Sequence, residues 1–286
     1  MTIKLFRQCC VLFFCAFLCV ILSDVTVNRL TQRKMKELSI TDDTFRKMDL
    51  SEIDVDWVLL NAKEQYEMEP YELMLTAIYF DLDLREGITW DKPYIWKCRN
   101  KLIQKYDDFS DLTGILKSLI TEMNYFPIPK STANIPYVEY VDSWKFERTY
   151  GGKRFHEGCD VMALKNVRGL YPVVSVCDGT VAKMGWLEKG GYRVGVLSDT
   201  GIYYYYAHLS DYADIKEGDR VRAGELLGFM GDTGYSTVEG TTGMFDVHLH
   251  FGIYVHDRNG NEISLNPYYF LRRIDDNSLY FEYGRN

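Results

Sequence analysis

Two short histidine-bearing segments, far apart in the chain, set the strongest constraint on how this sequence folds. Residues 154–160 read Arg-Phe-His-Glu-Gly-Cys-Asp, and residues 247–250 read Val-His-Leu-His. The chain of 286 residues holds five histidines, and three of them lie in these two segments. A fourth, His208, lies between them in Tyr-Ala-His-Leu. Such a concentration of imidazole and carboxylate groups is typical of a metal site, so the fold must bring the two segments together.

The second segment has the residue pattern of a β-strand. His248 and His250 alternate with apolar residues, and side chains two positions apart on a strand point to the same face. Both imidazoles can therefore reach one site. In the first segment, Gly158 and the apolar residues that follow Asp160 favour a loop that enters a strand. The isolated His256 is interpreted as a structural histidine outside this site.

Three separated motifs resemble those of the lysostaphin-type (LytM-like) zinc metalloendopeptidases. They are Arg154-x-His156-x-Gly158-x-Asp160, then Tyr206-Ala207-His208-Leu209, then His248-x-His250. They occur in the same order as in that family, and the resemblance extends over residues 140–272. Enzymes of this family cut peptide bonds in the stem peptides or cross-bridges of bacterial peptidoglycan. The resemblance therefore implies a zinc-dependent peptidase domain.

The resemblance also implies a role for the motif residues. His156, Asp160 and His250 would be the ligands of one zinc ion per chain. His208 and His248 would orient the attacking water and stabilise the developing oxyanion, a task that suits imidazole because its pKa lies near the operating pH. The chain has no His-Glu-x-x-His helix, so the mechanism of the thermolysin-like enzymes is excluded.

Two tyrosines are candidates for substrate binding in this interpretation. Tyr150 precedes His156 at a place where relatives can carry an active-site tyrosine, and Tyr206 belongs to a run of four tyrosines at 203–206. Alternate members of that run should face the substrate groove. The substrate would be a stem peptide or a cross-bridge of peptidoglycan. The alternative is a non-catalytic relative that binds a cell-wall or membrane partner and regulates another wall hydrolase.

The N-terminal residues predict export across the cell membrane. Lys4 and Arg7 precede an unbroken apolar run from Cys9 to Leu22. This run is shorter than the roughly 17–25 residues of a membrane-spanning helix, but no small-residue cleavage site follows it. We therefore predict an uncleaved signal-anchor over residues 1–27, a single pass with the C-terminal domain outside; secretion after cleavage is the alternative.

The net charge of −8 argues against nonspecific binding of nucleic acid.

The rest of the chain is predicted to be α+β, with a small helical region followed by an antiparallel β-sheet domain. The clearest helix has one apolar stripe from Leu112 to Met123, with Asp111 as its N-cap, and residues 268–274 are predicted to form a short closing helix. A proline-rich stretch from 126 to 136 favours a linker. The predicted segments are a juxtamembrane stalk (28–53), the helical region (54–126), the linker (127–136), the β-rich zinc peptidase domain (137–275) and a C-terminal tail (276–286).

Two features are left open by the sequence. The helical region is compatible with docking, with spacing from the wall, or with shielding of the active site. The three cysteines beyond the apolar run, Cys98, Cys159 and Cys177, are an odd number without the short spacing of a disulfide framework. Strand alternation should turn Cys159 away from the metal site, and a bridge between Cys159 and Cys177 is left undecided.

Overall fold

The structure is a computed structural model, and it describes residues 39–105 and 108–283. The predicted signal-anchor and the first part of the predicted stalk fall within residues 1–38, outside the described residues. Within the described ranges, no helix combines the length and the apolar character that a membrane crossing requires. The described chain contains both helices and antiparallel sheet, which confirms the α+β prediction for this part.

A layer of helices forms the N-terminal part of the described chain. Its members are α1 (Asp43–Lys47), α2 (Val55–Tyr66), α3 (Pro70–Phe80), α4 (Lys92–Lys105) and α5 (Phe109–Glu122). Asp54 caps α2 by accepting a hydrogen bond from the backbone N–H of Trp57, and Pro70 opens α3, where a missing N–H costs little. The predicted apolar stripe of α5 is largely buried. That helix begins at Phe109, however, so Asp111 lies in its first turn, and the prediction of Asp111 as N-cap is wrong.

The helical layer begins earlier in the chain than predicted. α1 falls within the predicted stalk, and its Phe45 is completely buried in the core. The guanidinium of Arg46 donates hydrogen bonds to the main-chain carbonyl and the hydroxyl of Ser264, at 3.0 and 2.8 Å. Residues 39–53 therefore belong to the globular fold, and the stalk prediction is wrong for this stretch because its apolar side chains are buried.

An antiparallel sheet of ten strands forms the C-terminal part of the described chain. The strands of the chain are β1 (Lys130–Ser131), β2 (Val138–Tyr140), β3 (Glu147–Arg148), β4 (Arg154–Phe155), β5 (Cys159–Ala163), β6 (Pro172–Val174), β7 (Gly179–Leu187), β8 (Gly191–Ser198), β9 (Tyr203–Tyr212), β10 (Arg220–Val221), β11 (Leu226–Met230), β12 (His248–His256), β13 (Glu262–Leu265) and β14 (Tyr280–Phe281). In the sheet, β10, β7, β8, β9, β12, β5 and β2 lie side by side, β11 pairs with β6 and β9, and β13 pairs with β12. The predicted closing helix is confirmed as α6 (Tyr268–Ile274).

Residues 127–136, predicted as a linker, are integrated into the fold. β1 pairs in parallel with β14 near the C-terminus, and Phe126 and Ile128 are completely buried. The helical layer and the sheet consequently share one hydrophobic core. The linker prediction is wrong because this proline-rich stretch packs its apolar side chains instead of spanning solvent.

The two faces of the sheet have different surroundings. Tyr204, Tyr206 and Phe251 are completely buried on the core side, where Tyr204 lies beside Glu122 of α5. The opposite face borders an open groove, to which β9 and β12 contribute side chains. Among the described residues, none from the helical layer lines this groove. The interpretation that the helical region shields the active site is therefore wrong, since the helices pack on the other face of the sheet.

Candidate active site

Three side-chain donor atoms converge at the groove. The Nε2 of His156 lies 2.9 Å from the Nδ1 of His250 and 3.0 Å from the Oδ1 of Asp160, and the last two atoms are 3.1 Å apart. Two imidazole nitrogens and a carboxylate oxygen this close need a proton or a cation between them, because their lone pairs otherwise repel. Within the described ranges, this is the group of His, Cys, Asp and Glu side chains that could hold a metal ion.

The sheet and one loop position these donors. Asp160 on β5 lies directly opposite His250 on β12 in the antiparallel register. His156 lies in the loop between β4 and β5, so the predicted loop that enters a strand is confirmed. His248 also borders the groove, with its Nε2 3.8 Å from the Oδ1 of Asp160, as the two-residue strand period predicts.

Main-chain carbonyls set the proton positions on three of the histidines. In each ring Nδ1–H donates to a carbonyl: His156 to Ser143 (2.9 Å), His208 to Thr233 (2.7 Å) and His248 to Asp246 (2.7 Å). A carbonyl oxygen only accepts hydrogen bonds, so each Nδ1 carries the proton and each Nε2 keeps a lone pair. His156 can thus present Nε2 to a metal, and His208 and His248 can accept a proton there.

The donor set fits a zinc ion. Catalytic zinc takes three protein ligands of these types, and with bonds of about 2.0–2.2 Å the ligands of a tetrahedral site lie roughly 3.3–3.6 Å apart. The observed separations need to widen by a few tenths of an ångström. The guanidinium of Arg148 pairs with the Oδ2 of Asp160, which leaves Oδ1 for the metal. Arg148 therefore holds this carboxylate for ligation through a single oxygen.

Burial favours the neutral form of His208, His248 and His250 near pH 7. Desolvation lowers the pKa of His208 well below its usual value and lowers the pKa of His250 to about 4; the pKa of His248 is lowered for the same reason. Burial would raise the pKa of Asp160, but hydrogen bonds from His156 and His250 lower this pKa well below its usual range. Neutral imidazoles and an ionised carboxylate are the protonation states that metal binding requires.

A β-bulge turns His208 into the site. By strict alternation His208 would share the buried face with Tyr204 and Tyr206. The register between β8 and β9 shifts near His208, whose φ of 63° lies in the left-handed region. Bulges of this kind re-aim a side chain next to an active site, and left-handed backbone at a residue other than glycine is a strained conformation that clusters at functional sites. The His208 ring consequently lies 4.7 Å from the His248 ring.

The run of four tyrosines divides between the groove and the core. Tyr203 and Tyr205 line the groove, which has a volume of about 740 Å³. Tyr206 is completely buried, and its hydroxyl accepts a hydrogen bond of 2.9 Å from the backbone N–H of Val176. The prediction of Tyr206 as a substrate-binding residue is therefore wrong, because alternation along β9 directs its side chain into the core.

Tyr150 contacts the groove wall through one neighbouring aromatic residue. Its ring stacks on that of Tyr235, with centroids 4.3 Å apart and the planes inclined by 4°. Tyr235 lines the groove and lies 6.0 Å from the His208 ring. Tyr150 thus supports the groove wall through Tyr235, and a direct contact of Tyr150 with substrate stays a prediction.

Three residues of the site were missed by sequence reasoning. Arg148, on β3, and Tyr235, in the loop after β11, reach the site through the tertiary fold, and no spacing rule links them to the motifs. The Phe245 ring packs 4.6 Å from His208 and 5.0 Å from His248. The position of Phe245 just before the second histidine segment was a signal that could have identified it.

The cysteines of the described chain are free thiols. Cys98, Cys159 and Cys177 are all buried and unbridged. The Sγ of Cys159 donates to the carbonyl of Val141 at 3.4 Å, on the side of β5 away from Asp160. The prediction that alternation turns Cys159 away from the metal site is confirmed.

Gly158 lets the His156 loop approach the ring of His250. A Cβ at this position would lie 2.6 Å from the Cε1 of His250 and 2.6 Å from the carbonyl oxygen of Phe251. We expect Gly158→Ala to displace that imidazole and to weaken zinc affinity by about ten- to a hundredfold, measured by competition with a chromogenic chelator. The matched control is Gly114→Ala on α5, where the added methyl meets no atom within 4 Å. Unchanged affinity in Gly158→Ala would contradict this account of the loop.

The sequence of this chain is similar to those of several known proteins. The family model for peptidase family M23 matches residues 154–267, which include the three donors and the two further histidines. The chain is 39% identical over 148 residues to the L-Ala–D-Glu endopeptidase of Bacillus subtilis, covering 51% of this chain and 42% of that protein. It is 35% identical over 103 residues to lysostaphin of Staphylococcus staphylolyticus, covering 35% of this chain and 19% of that protein. The similarity therefore spans less than half the length of either relative.

One solved structure matches nearly the whole described fold. It is the crystal structure of a proposed glycyl-glycine endopeptidase LytM from Ruminococcus gnavus. The two chains are 38% identical, with a TM-score of 0.71, and the match covers 89% of this chain and 99% of the other. The likeness thus includes the helical layer as well as the sheet.

Proposed function

Because the chain belongs to peptidase family M23, we propose that it is a zinc-dependent endopeptidase that hydrolyses peptide bonds of bacterial peptidoglycan. The observation that carries the proposal is the convergence of three ligand donors, beside two further histidines, in an open groove. The Bacillus subtilis relative is named as an endopeptidase, which supports the same class of reaction.

His156, Asp160 and His250 would hold the ion. When bound, zinc supplies a Lewis acid for the scissile carbonyl and lowers the pKa of a water ligand from about 15.7 to about 7. The contribution of this chain is to keep the three donors deprotonated and oriented. The Ser143 carbonyl orients the His156 ring, and Arg148 orients the carboxylate.

His208 and His248 would move the proton. Both are neutral and buried, with Nε2 free to accept a proton from the attacking water as a general base. Once protonated, the same Nε2 can donate a hydrogen bond to the oxyanion or return the proton to the leaving amine. The carbonyls of Thr233 and Asp246 stay hydrogen-bonded to Nδ1–H throughout and stabilise the charged form of each ring.

The direct test uses the full-length chain, because the helical layer and the sheet share one core. Metal content is measured after purification without added metal, and purified peptidoglycan is then digested with the products identified by mass spectrometry. About one zinc per chain, with release of new amino termini, is the expected result. A chain that binds no zinc and releases no product would favour the alternative, a relative that binds the wall and regulates another hydrolase.

We also propose that this activity is exerted outside the cell membrane, with the chain tethered by the signal-anchor predicted for residues 1–27. The apolar run with its preceding cations supports this location. Protease accessibility of an epitope placed after residue 283, in intact cells, tests the orientation. An epitope that stays protected would overturn it.

Acid should destabilise the metal-free protein through its buried histidines. The pKa values of His208, His248 and His250 are lowered in the fold, to about 4 for His250, whereas an unfolded histidine titrates near 6.5. The unfolded chain therefore binds more protons below about pH 6.5, so stability is fully present above this pH and is lost as the pH falls toward 4. Each unit of pKa difference corresponds to about 1.4 kcal/mol.

Urea unfolding in the presence of a chelator, between pH 8 and pH 5, measures this loss. The exposed His256 offers the control, since His256→Gln should leave the profile unchanged. A flat profile over this range would show that the buried rings are not held neutral by the fold.

A further inference from the structure

We propose that the groove binds a peptide bearing a carboxylate in preference to an uncharged one, and that the Arg193 guanidinium recognises that carboxylate. This inference rests on the proposed function, because it names the class of peptide that the same groove would select. It adds a specificity determinant outside the metal site.

Arg193 has a polar atom that the fold leaves unsatisfied. Its Nη1 is buried and has no hydrogen-bond partner, although the residue lines the groove. Leaving a buried donor of a charged group unpaired costs several times what a satisfied hydrogen bond contributes. Because Arg193 lines the groove, a bound ligand can bring an acceptor to this guanidinium.

Arg193 also lacks a counter-ion in the described chain. Several arginines elsewhere are paired, as Arg220 is with Asp199 at 2.6 Å and Arg168 with Asp232 at 2.5 Å. Within residues 39–105 and 108–283, no ion pair is formed by Arg193. The net charge of the chain is −8, so acidic groups outnumber basic ones, yet no described carboxylate pairs with Arg193.

Two further cations of the groove also lack an ion pair with a described residue. Arg154 donates to the hydroxyl of Tyr235 at 3.2 Å, and neither Arg154 nor Lys189 forms an ion pair with a described residue. The acids Glu157 and Glu262 line the groove too, but both are exposed, and Glu262 makes no ion pair with Arg193.

The sheet places Arg193 at a fixed distance from the metal ligands. Arg193 lies on β8 where the register against β9 shifts, opposite the stretch between Tyr206 and Leu209, and Ala207 in that stretch is paired with His250 on β12. Neighbouring strands are about 4.8 Å apart, so two strand spacings separate Arg193 from His250 by roughly 10 Å. An extended peptide rises about 3.3 Å per residue, so the carboxylate would lie within about three residues of the scissile bond.

Tyr205 connects the two positions. Its ring lies 5.9 Å from that of His250, and the positive charge of Arg193 opposes the rise in the pKa of Tyr205 that burial causes. The floor between Arg193 and the metal site is therefore aromatic and close to the guanidinium. A planar guanidinium at such a floor can bind a carboxylate through two parallel hydrogen bonds, which lysine or a neutral side chain cannot reproduce.

The test compares two peptides that differ in one charge. The first is L-Ala-γ-D-Glu-L-Lys-D-Ala with blocked termini and a free glutamate α-carboxylate, and the second carries the same carboxylate as an amide. Binding is measured by calorimetry with the full-length His250→Ala chain, so that neither peptide is consumed. We expect amidation to weaken binding about ten- to a hundredfold, and we expect Arg193→Gln in the same chain to remove the difference.

Two control variants separate charge from folding. Arg193→Lys should keep part of the preference for the carboxylate peptide, because lysine retains the charge but cannot form two parallel hydrogen bonds. Arg220→Gln, on β10 and away from the groove, should keep all of it. Equal binding of the two peptides, no binding of either, or a preference that survives Arg193→Gln would each overturn the proposal. Failure of the unmutated chain to cleave peptidoglycan would instead reject the proposed function, and the binding result would stand independently.

Discussion

Replacing His250 by alanine should remove zinc and hydrolysis together. His250 supplies Nδ1 to the cluster and contacts both other donors, at 2.9 and 3.1 Å. Two ligands cannot hold the ion in a site that normally provides three, and without zinc the water keeps its pKa of about 15.7. We expect the zinc content to fall from about one per chain to near zero, and peptidoglycan hydrolysis to fall by more than about ten thousandfold.

A histidine on the same strand provides the matched control. His256 lies at the far end of β12 and is exposed, so His256→Ala removes an imidazole from the strand without touching the cluster. This control should keep both zinc and activity. Elemental analysis of the two variants, with circular dichroism to verify folding, makes the comparison. Full zinc content in His250→Ala would show that the ion is bound elsewhere.

Replacing His208 should abolish most of the activity while zinc is retained. The ring of His208 lies 6.0 Å from that of His250 and is held by the Thr233 carbonyl, so it is placed to transfer a proton and not to ligate the ion. Loss of a general base or acid costs about a hundredfold to ten thousandfold in rate. We expect a fall of this size in kcat/KM, with zinc content and zinc affinity changed little.

Asparagine is the informative replacement at this position. The φ of His208 is 63°, and asparagine tolerates the left-handed region better than alanine does, so His208→Asn removes the imidazole with little added backbone strain. His256→Asn makes the same chemical change at an exposed site. Near-normal activity of the His208→Asn chain would show that His248 alone transfers the proton. Loss of zinc in His208→Asn would make His208 a ligand.

The local chemistry of the metal site was predictable from the sequence. His248 and His250 lie two residues apart among apolar neighbours, and the two-residue period of a strand puts both on one face wherever that strand lies. Gly158 favours a loop before Asp160, and His156 and Gly158 do lie in a loop that leads into β5. These are short-range consequences of residue type and spacing.

The boundaries of the folded unit were not predictable from local pattern. The polar composition of residues 39–53 favours a stalk, yet Phe45 is completely buried. The prolines of residues 127–136 disfavour a helix and favour a linker. This stretch nevertheless contains β1, which pairs with β14 near the other end of the chain. Whether such a stretch belongs to the folded unit depends on the burial of a few apolar residues against residues distant in sequence. The composition of the stretch does not reveal those distant contacts.

The sequence by itself determined the strand and loop that carry His156, Asp160 and His250, because strand period and glycine placement act over a few residues. The tertiary structure alone decided which face of β9 each side chain takes. Alternation would put His208 beside the buried Tyr206, and the register shift against β8 turns it to the groove instead. Arg148 and Arg193 likewise reach the groove only through pairing between strands. The reason is physical: a bulge and a register are properties of two paired strands, and neither strand specifies them alone.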